Sequence, residues 1–85
     1  MNTALAHPTT AEHIRAYITS SFLSPEDAAL LGDDDDLLEL LDSLQVLRMV
    51  MDLESRYALK FENSDLTPEN LGSIARLAGF IDAKR

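Results

Sequence analysis

Residues 42–57, DSLQVLRMVMDLESRY, decide how this chain folds. Asp42, followed three residues later by Gln45, is a capping box: the carboxylate sits at the N-cap and the amide reaches back from N3, so a helix starts with Ser43 as its first residue. At 100° per residue, Val46, Met49, Val50, Leu53 and Tyr57 fall within about 100° of one another and form a stripe for a core. Leu44, Leu47 and Met51 gather on nearly the opposite side, flanked by Gln45, Arg48, Asp52 and Ser55. A helix with two apolar faces cannot readily bury both in a small domain. The second facet either packs against Leu30, Leu31, Leu37 and Leu38 of the preceding connector or serves as a partner surface.

Working outward, Thr9 and Glu12 form a second capping box, and Ala11, Ile14, Ile18 and Phe22 make one stripe of a helix from about Thr10 to Leu23. Ser24-Pro25-Glu26-Asp27 opens a short helical turn, with Pro at N1 and acids in the first turn, which Gly32 closes. After Lys60-Phe61, the run from Asn63 to Pro68 is turn chemistry with one helical turn. Ser73 then caps a last helix whose buried face is Ile74, Leu77, Ala78 and Ile81. No segment alternates as a strand does. The expected fold is all-α, a small four-helix bundle with three long helices and one short, in which residues 1–8 are a flexible arm and 9–85 the domain.

The chain has 85 residues, one domain or less, and 7 Lys plus Arg against 15 Asp plus Glu give it a net charge of −8. Such a surface has no sequence-independent affinity for a phosphate backbone, so nucleic acid is not an expected partner. With no cysteine there are no disulfides, thiolate metal sites or cysteine nucleophiles, and the domain must rest on regular helices and apolar packing. At 46 % hydrophobic the composition is that of a globular protein, not of a disordered acidic tail. Met1 to Pro8 has neither a basic start nor a long apolar stretch, and no later run approaches the roughly 20 residues that span a bilayer, so a soluble, cytoplasmic, monomeric protein without membrane attachment is expected. The charge is uneven: residues 25–42 carry −8 and end at the mouth of the helix that starts with Ser43, while residues 43–60 carry +1.

Ser43 stands out among the chemically useful residues. A serine at a helix start is ordinarily a local cap, but here Asp42 occupies the cap and leaves the Ser43 hydroxyl free. A phosphodiester on that oxygen would lie beside the unpaired amides of the helix N-terminus, where dipole and donors favour an anion. The histidines, His7 and His13, lie far away in sequence, and no GxSxG turn surrounds Ser43, so a hydrolase triad is not expected. Asp33 to Asp36 lack the alternating ligands, glycine and distant glutamate of a calcium loop and read as a solvated loop or docking patch.

Leu41-Asp42-Ser43-Leu44-Gln45, a helix ending Leu53-Glu54-Ser55-Arg56-Tyr57, and Leu59-Lys60-Phe61 together resemble the acyl and peptidyl carrier protein family. Downstream, Asp65-Leu66-Thr67-Pro68-Glu69-Asn70-Leu71 with Ser73-Ile74 is similar to the third helix and the start of the fourth in those proteins, so the resemblance covers about residues 9–83. It implies an acyl-carrier-protein-like fold of the standalone type, in which Ser43 receives 4′-phosphopantetheine from coenzyme A and Asp42 helps present it to the phosphopantetheinyl transferase. It also implies an acyl or aminoacyl cargo held as a thioester, partner docking through Leu44, Leu47, Arg48 and Met51, and no catalysis by the chain itself.

Two departures from the family pattern bear on partners. Glu39-Leu40-Leu41 stands where a glycine usually precedes the hydrophobic-Asp-Ser step, and Arg48 and Arg56 balance Asp52 and Glu54 on a helix that is markedly acidic in fatty-acid-type carriers. Both suggest a specialised carrier, akin to aminoacyl or D-alanyl carriers, loaded by an adenylating ligase and unloaded by a downstream transferase or synthase. The rival reading is an acidic helical interaction module without a prosthetic group.

Overall fold

The computed structural model describes residues 9–84, and the arm expected at 1–8 lies outside them. Three long helices carry the fold: α1 (Thr10–Phe22), α4 (Ser43–Tyr57) and α6 (Ile74–Lys84). The connections hold three short ones, α2 (Pro25–Leu30), α3 (Leu37–Leu40) and α5 (Pro68–Leu71), and a 3₁₀ turn at Asn63–Asp65. The described residues contain no strand, and the all-helical bundle is the one expected.

The caps fall where the sequence puts them. Thr9 Oγ1 accepts from the Glu12 amide at 3.1 Å while Glu12 Oε1 accepts from the Thr9 amide at 2.7 Å. Ser73 Oγ accepts from the Arg76 amide at 3.1 Å and starts α6. From these starts the stripes turn inward: Ile14, Tyr17 and Ile18 from α1, Met49, Val50 and Leu53 from α4, and Ile74, Leu77, Ala78 and Ile81 from α6 are buried in one core. Ala11, Phe22, Val46 and Tyr57, expected on the same stripes, are half-buried at its edge.

The connector is more structured than a solvated loop. Asp36 caps α3 by accepting from the Leu38 amide at 2.9 Å, which turns Leu37 fully into the core and leaves Leu41 buried after it. Its backbone is fastened to the junction of α5 and α6, because the Leu37 amide donates to the Gly72 carbonyl at 2.8 Å and the Ala75 amide to the Asp33 carbonyl at 3.0 Å. From α1, the Arg15 guanidinium donates to the Leu31 carbonyl and pairs with Asp33. Gly72 is required at this junction: a Cβ there would collide with the Pro68 carbonyl oxygen.

Past the last turn of α4, Ala58 adopts the left-handed region at φ 52°, and the amides of Ala58 and Leu59 both return to the Glu54 carbonyl. Glu54 also accepts from the Phe61 amide at 2.8 Å, so the chain reverses tightly into the core at Phe61. A side chain in that region is strained where glycine is not. Ala58→Gly is therefore expected to stabilise the domain by about 0.5–1 kcal/mol, read as a higher thermal midpoint. A lower midpoint would show that the reversal does not strain the backbone.

Candidate functional site

The start of α4 is set by a reciprocal pair of hydrogen bonds. Asp42 Oδ1 accepts from the Gln45 amide at 2.8 Å, and Gln45 Oε1 accepts from the Asp42 amide at 3.0 Å. Asp42 is extended, at φ −79° and ψ 174°, so the chain enters the helix sharply and Ser43 becomes its first residue. The box uses the Gln45 amide and leaves those of Ser43 and Leu44 without an acceptor among the described residues. The Ser43 side chain is exposed and its hydroxyl has no partner among those residues either.

The open question about the second facet is resolved in favour of exposure. Leu44, Leu47 and Met51 are 76 %, 56 % and 59 % exposed. The connector does not cover them, because Leu31 and Leu37 point into the core while Leu30 faces solvent. An apolar groove of about 310 Å³ opens beside Ser43, walled by Leu38, Val46, Leu47, Val50, Leu66 and Leu71.

Arg48, within the same facet, is held by a network that sequence patterns do not reveal. Its Nε lies 3.5 Å from Asp52 Oδ2, and the same oxygen accepts a 2.5 Å hydrogen bond from the Tyr17 hydroxyl. Burial, reinforced by that hydrogen bond, keeps the Tyr17 hydroxyl protonated well beyond its ordinary range. The Arg56 guanidinium stacks over the Tyr17 ring 4.8 Å from its centre. Tyr17 thus ties α1 to the outer edge of α4. Its amphipathic body was the available signal, a tyrosine on the inward side of α1 with acids and arginines on a neighbouring helix, but local periodicity does not say which acid it meets.

The described residues offer no group of three or more acids, histidines or cysteines arranged to hold a metal, and His13 is exposed on α1. A bare serine thus stands at a long helix's N-terminus, with an open groove beside it and an apolar facet running away from it. A family model described as the phosphopantetheine attachment site matches residues 19–81, and the chain belongs to that family. Searches among curated proteins and among solved structures give no match. The protein is therefore a phosphopantetheine-bearing carrier and not an enzyme: domains of this family hold 4′-phosphopantetheine covalently on a serine and interact with phosphopantetheinyl transferases and biosynthetic enzymes.

Because Leu47 and Met51 project away from the core, Leu47→Ala and Met51→Ala are expected to change stability by no more than about 0.5 kcal/mol, against roughly 2–5 kcal/mol for Met49→Ala. Both surface variants should slow turnover by partner enzymes. Thermal melts beside a loading assay check this; a core-sized loss of stability at Leu47 or Met51 would return that residue to the interior.

Proposed function

We propose that Ser43 is the serine that carries 4′-phosphopantetheine and that the protein shuttles an acyl or aminoacyl thioester between partner enzymes. The observation that carries this reading is the free Ser43 hydroxyl beside two unpaired amides at the N-terminus of a helix of 15 residues. The other serines within the matched region fit less well. Ser24 and Ser73 use their oxygens as helix caps, and Ser20 donates to the Tyr17 carbonyl. Ser21 and Ser55 sit in the last turns of α1 and α4, where the helix dipole opposes an anion, and Ser64 lies in a 3₁₀ turn of three residues beside Asp65.

The residues at Ser43 suit the group. In loading, the Ser43 oxygen would give up its proton to the transferase and bond to phosphorus as the pyrophosphate link of coenzyme A breaks and adenosine 3′,5′-bisphosphate leaves. The amides of Ser43 and Leu44 and the α4 dipole would favour the resulting phosphodiester anion. Asp42 keeps the site in register by capping the helix, which is how it presents the serine. The bound group supplies a terminal thiol for thioester formation, which a cysteine-free chain cannot supply. Leu44, Leu47, Arg48 and Met51 form the docking face around Ser43, and tethering raises the effective concentration of cargo at each enzyme that binds there.

For cargo we favour a small carboxylic or amino acid activated by an adenylating ligase in specialised metabolism, in the cytoplasm where coenzyme A and the transferase meet the carrier. Support comes from α4, whose exposed Arg48 and Arg56 balance Asp52 and Glu54 and would meet a basic fatty-acid-enzyme surface with like charge. The approach to Ser43 points the same way, since Leu40, the last residue of α3, stands where the family usually has a glycine before the hydrophobic-Asp-Ser step.

Incubation with coenzyme A and a phosphopantetheinyl transferase should add one phosphopantetheinyl mass to the protein and none to Ser43→Ala, with the helical circular dichroism of the variant unchanged. Addition to the variant would overturn the site. The loaded protein, offered to a malonyl transferase and to adenylating ligases, should be charged efficiently by a ligase; malonyl loading followed by elongation would replace the cargo assignment with a fatty acid or polyketide one.

A further inference from the structure

The short helix α3 divides two grooves. Leu38 faces the one beside Ser43, while Asp36, Glu39 and Leu40 line another, of about 560 Å³, shared with Asp27, Leu30 and Leu31 of the α2 side. No residue of α4 lines this second groove, so an occupant there engages a different face from Leu44, Leu47 and Met51.

Its chemistry is distinctive. Leu30 is 80 % exposed and Leu40 43 %, with Leu31 buried beneath them, so the walls are apolar and wet. Asp27, Asp35, Asp36 and Glu39 surround them, all exposed, and none has a cationic partner among the described residues, whose ion pairs involve Asp33, Asp52 and Asp65 instead. The walls are also fixed in advance. Asp35 accepts from the Gly32 amide at 2.7 Å and Asp36 from the Leu38 amide, while Arg15, Gly72 and Ala75 anchor the connector's backbone to the bundle. A preformed surface loses little entropy on binding.

We propose that this groove is a second docking surface and that its occupant is an amphipathic helix of a partner protein, with leucine-like side chains flanked by lysine or arginine. Apolar contact with Leu30 and Leu40 supplies the affinity, and the four carboxylates select the cationic flanks and reject acidic ones. A second copy of this chain fits poorly, because it brings a net charge of −8 to the same rim and its own apolar α4 facet carries Asp52 and Glu54 beside its arginines. The proposal concerns a face apart from Ser43 and stands whether or not Ser43 is loaded.

The test uses the full chain and a stapled helical peptide with leucines at i, i+3 and i+4 flanked by lysines, alongside a control with glutamates replacing the lysines. Titration followed by amide chemical shifts should give saturable binding centred on Leu30, Gly32, Glu39 and Leu40. Leu30→Ser should weaken it on the order of tenfold with no change in thermal midpoint, because Leu30 contributes nothing to the core. Asp27→Asn with Glu39→Gln should weaken it severalfold, and so should raising salt from low to physiological levels. Equal binding of the glutamate peptide, shifts centred on α4, or indifference to Leu30→Ser would each overturn the proposal. Sedimentation of the free chain covers the remaining occupant: a dimer abolished by Leu30→Ser would assign the groove to a second copy.

Discussion

The two hydrogen bonds between Asp42 and Gln45 are the constraint on which the rest of the molecule depends. They fix the residue at which α4 begins. Each residue of a helix advances 100°, so a start displaced by one position would swing Met49 and Leu53 out of the core and carry Leu44, Leu47 and Met51 toward it. The same pair of bonds occupies the Asp42 carboxylate and the Gln45 amide, leaving the Ser43 hydroxyl and the amides of Ser43 and Leu44 free among the described residues. Register, core and site are thus consequences of one local interaction.

Charge is organised around that start. The connector carries eight acids and no bases, yet it does not behave as a separate polyanion, because Arg15 of α1 and the Gly72–Ala75 segment at the start of α6 clamp its backbone to the bundle. The acids therefore present a fixed field on one side of Ser43, while α4 on the other side is nearly neutral, its arginines engaged by Asp52 and by the Tyr17 ring. Two differently charged surfaces thus flank Ser43, and a partner approaching it would be steered and selected by that asymmetry.

How far the sequence carried the reading depended on whether the governing interactions are local. The partners of each capping box, at Thr9 and at Asp42, and of the cap at Ser73 lie three residues apart, and the α6 stripe repeats within one helix, so all of them could be read directly. The fate of Leu44, Leu47 and Met51 could not, since it hinged on which connector leucines turn inward. That choice is made by the backbone bonds from Leu37 to Gly72 and from Ala75 to Asp33, which span 35 or more positions in the chain. Helix α3 was hidden for a related reason: its cap, Asp36, is the last of four identical acids, and nothing local distinguishes it from its neighbours. Tyr17 is the other case. Its place in the core is secured by Asp52 on another helix, a contact that periodicity within α1 does not contain.

The role of Ser43 and its capping box is tested most directly by a pair of amide spectra, before and after phosphopantetheinyl transfer, with the modified residue located by fragmentation mass spectrometry. Modification is expected at Ser43, with the largest shifts at the Ser43 and Leu44 amides as they gain the phosphodiester as an acceptor, while the Gln45 amide, already bonded to Asp42, moves least of the three. A modified residue other than Ser43, or a disturbance centred on Gln45 that signals opening of the capping box, would contradict that role.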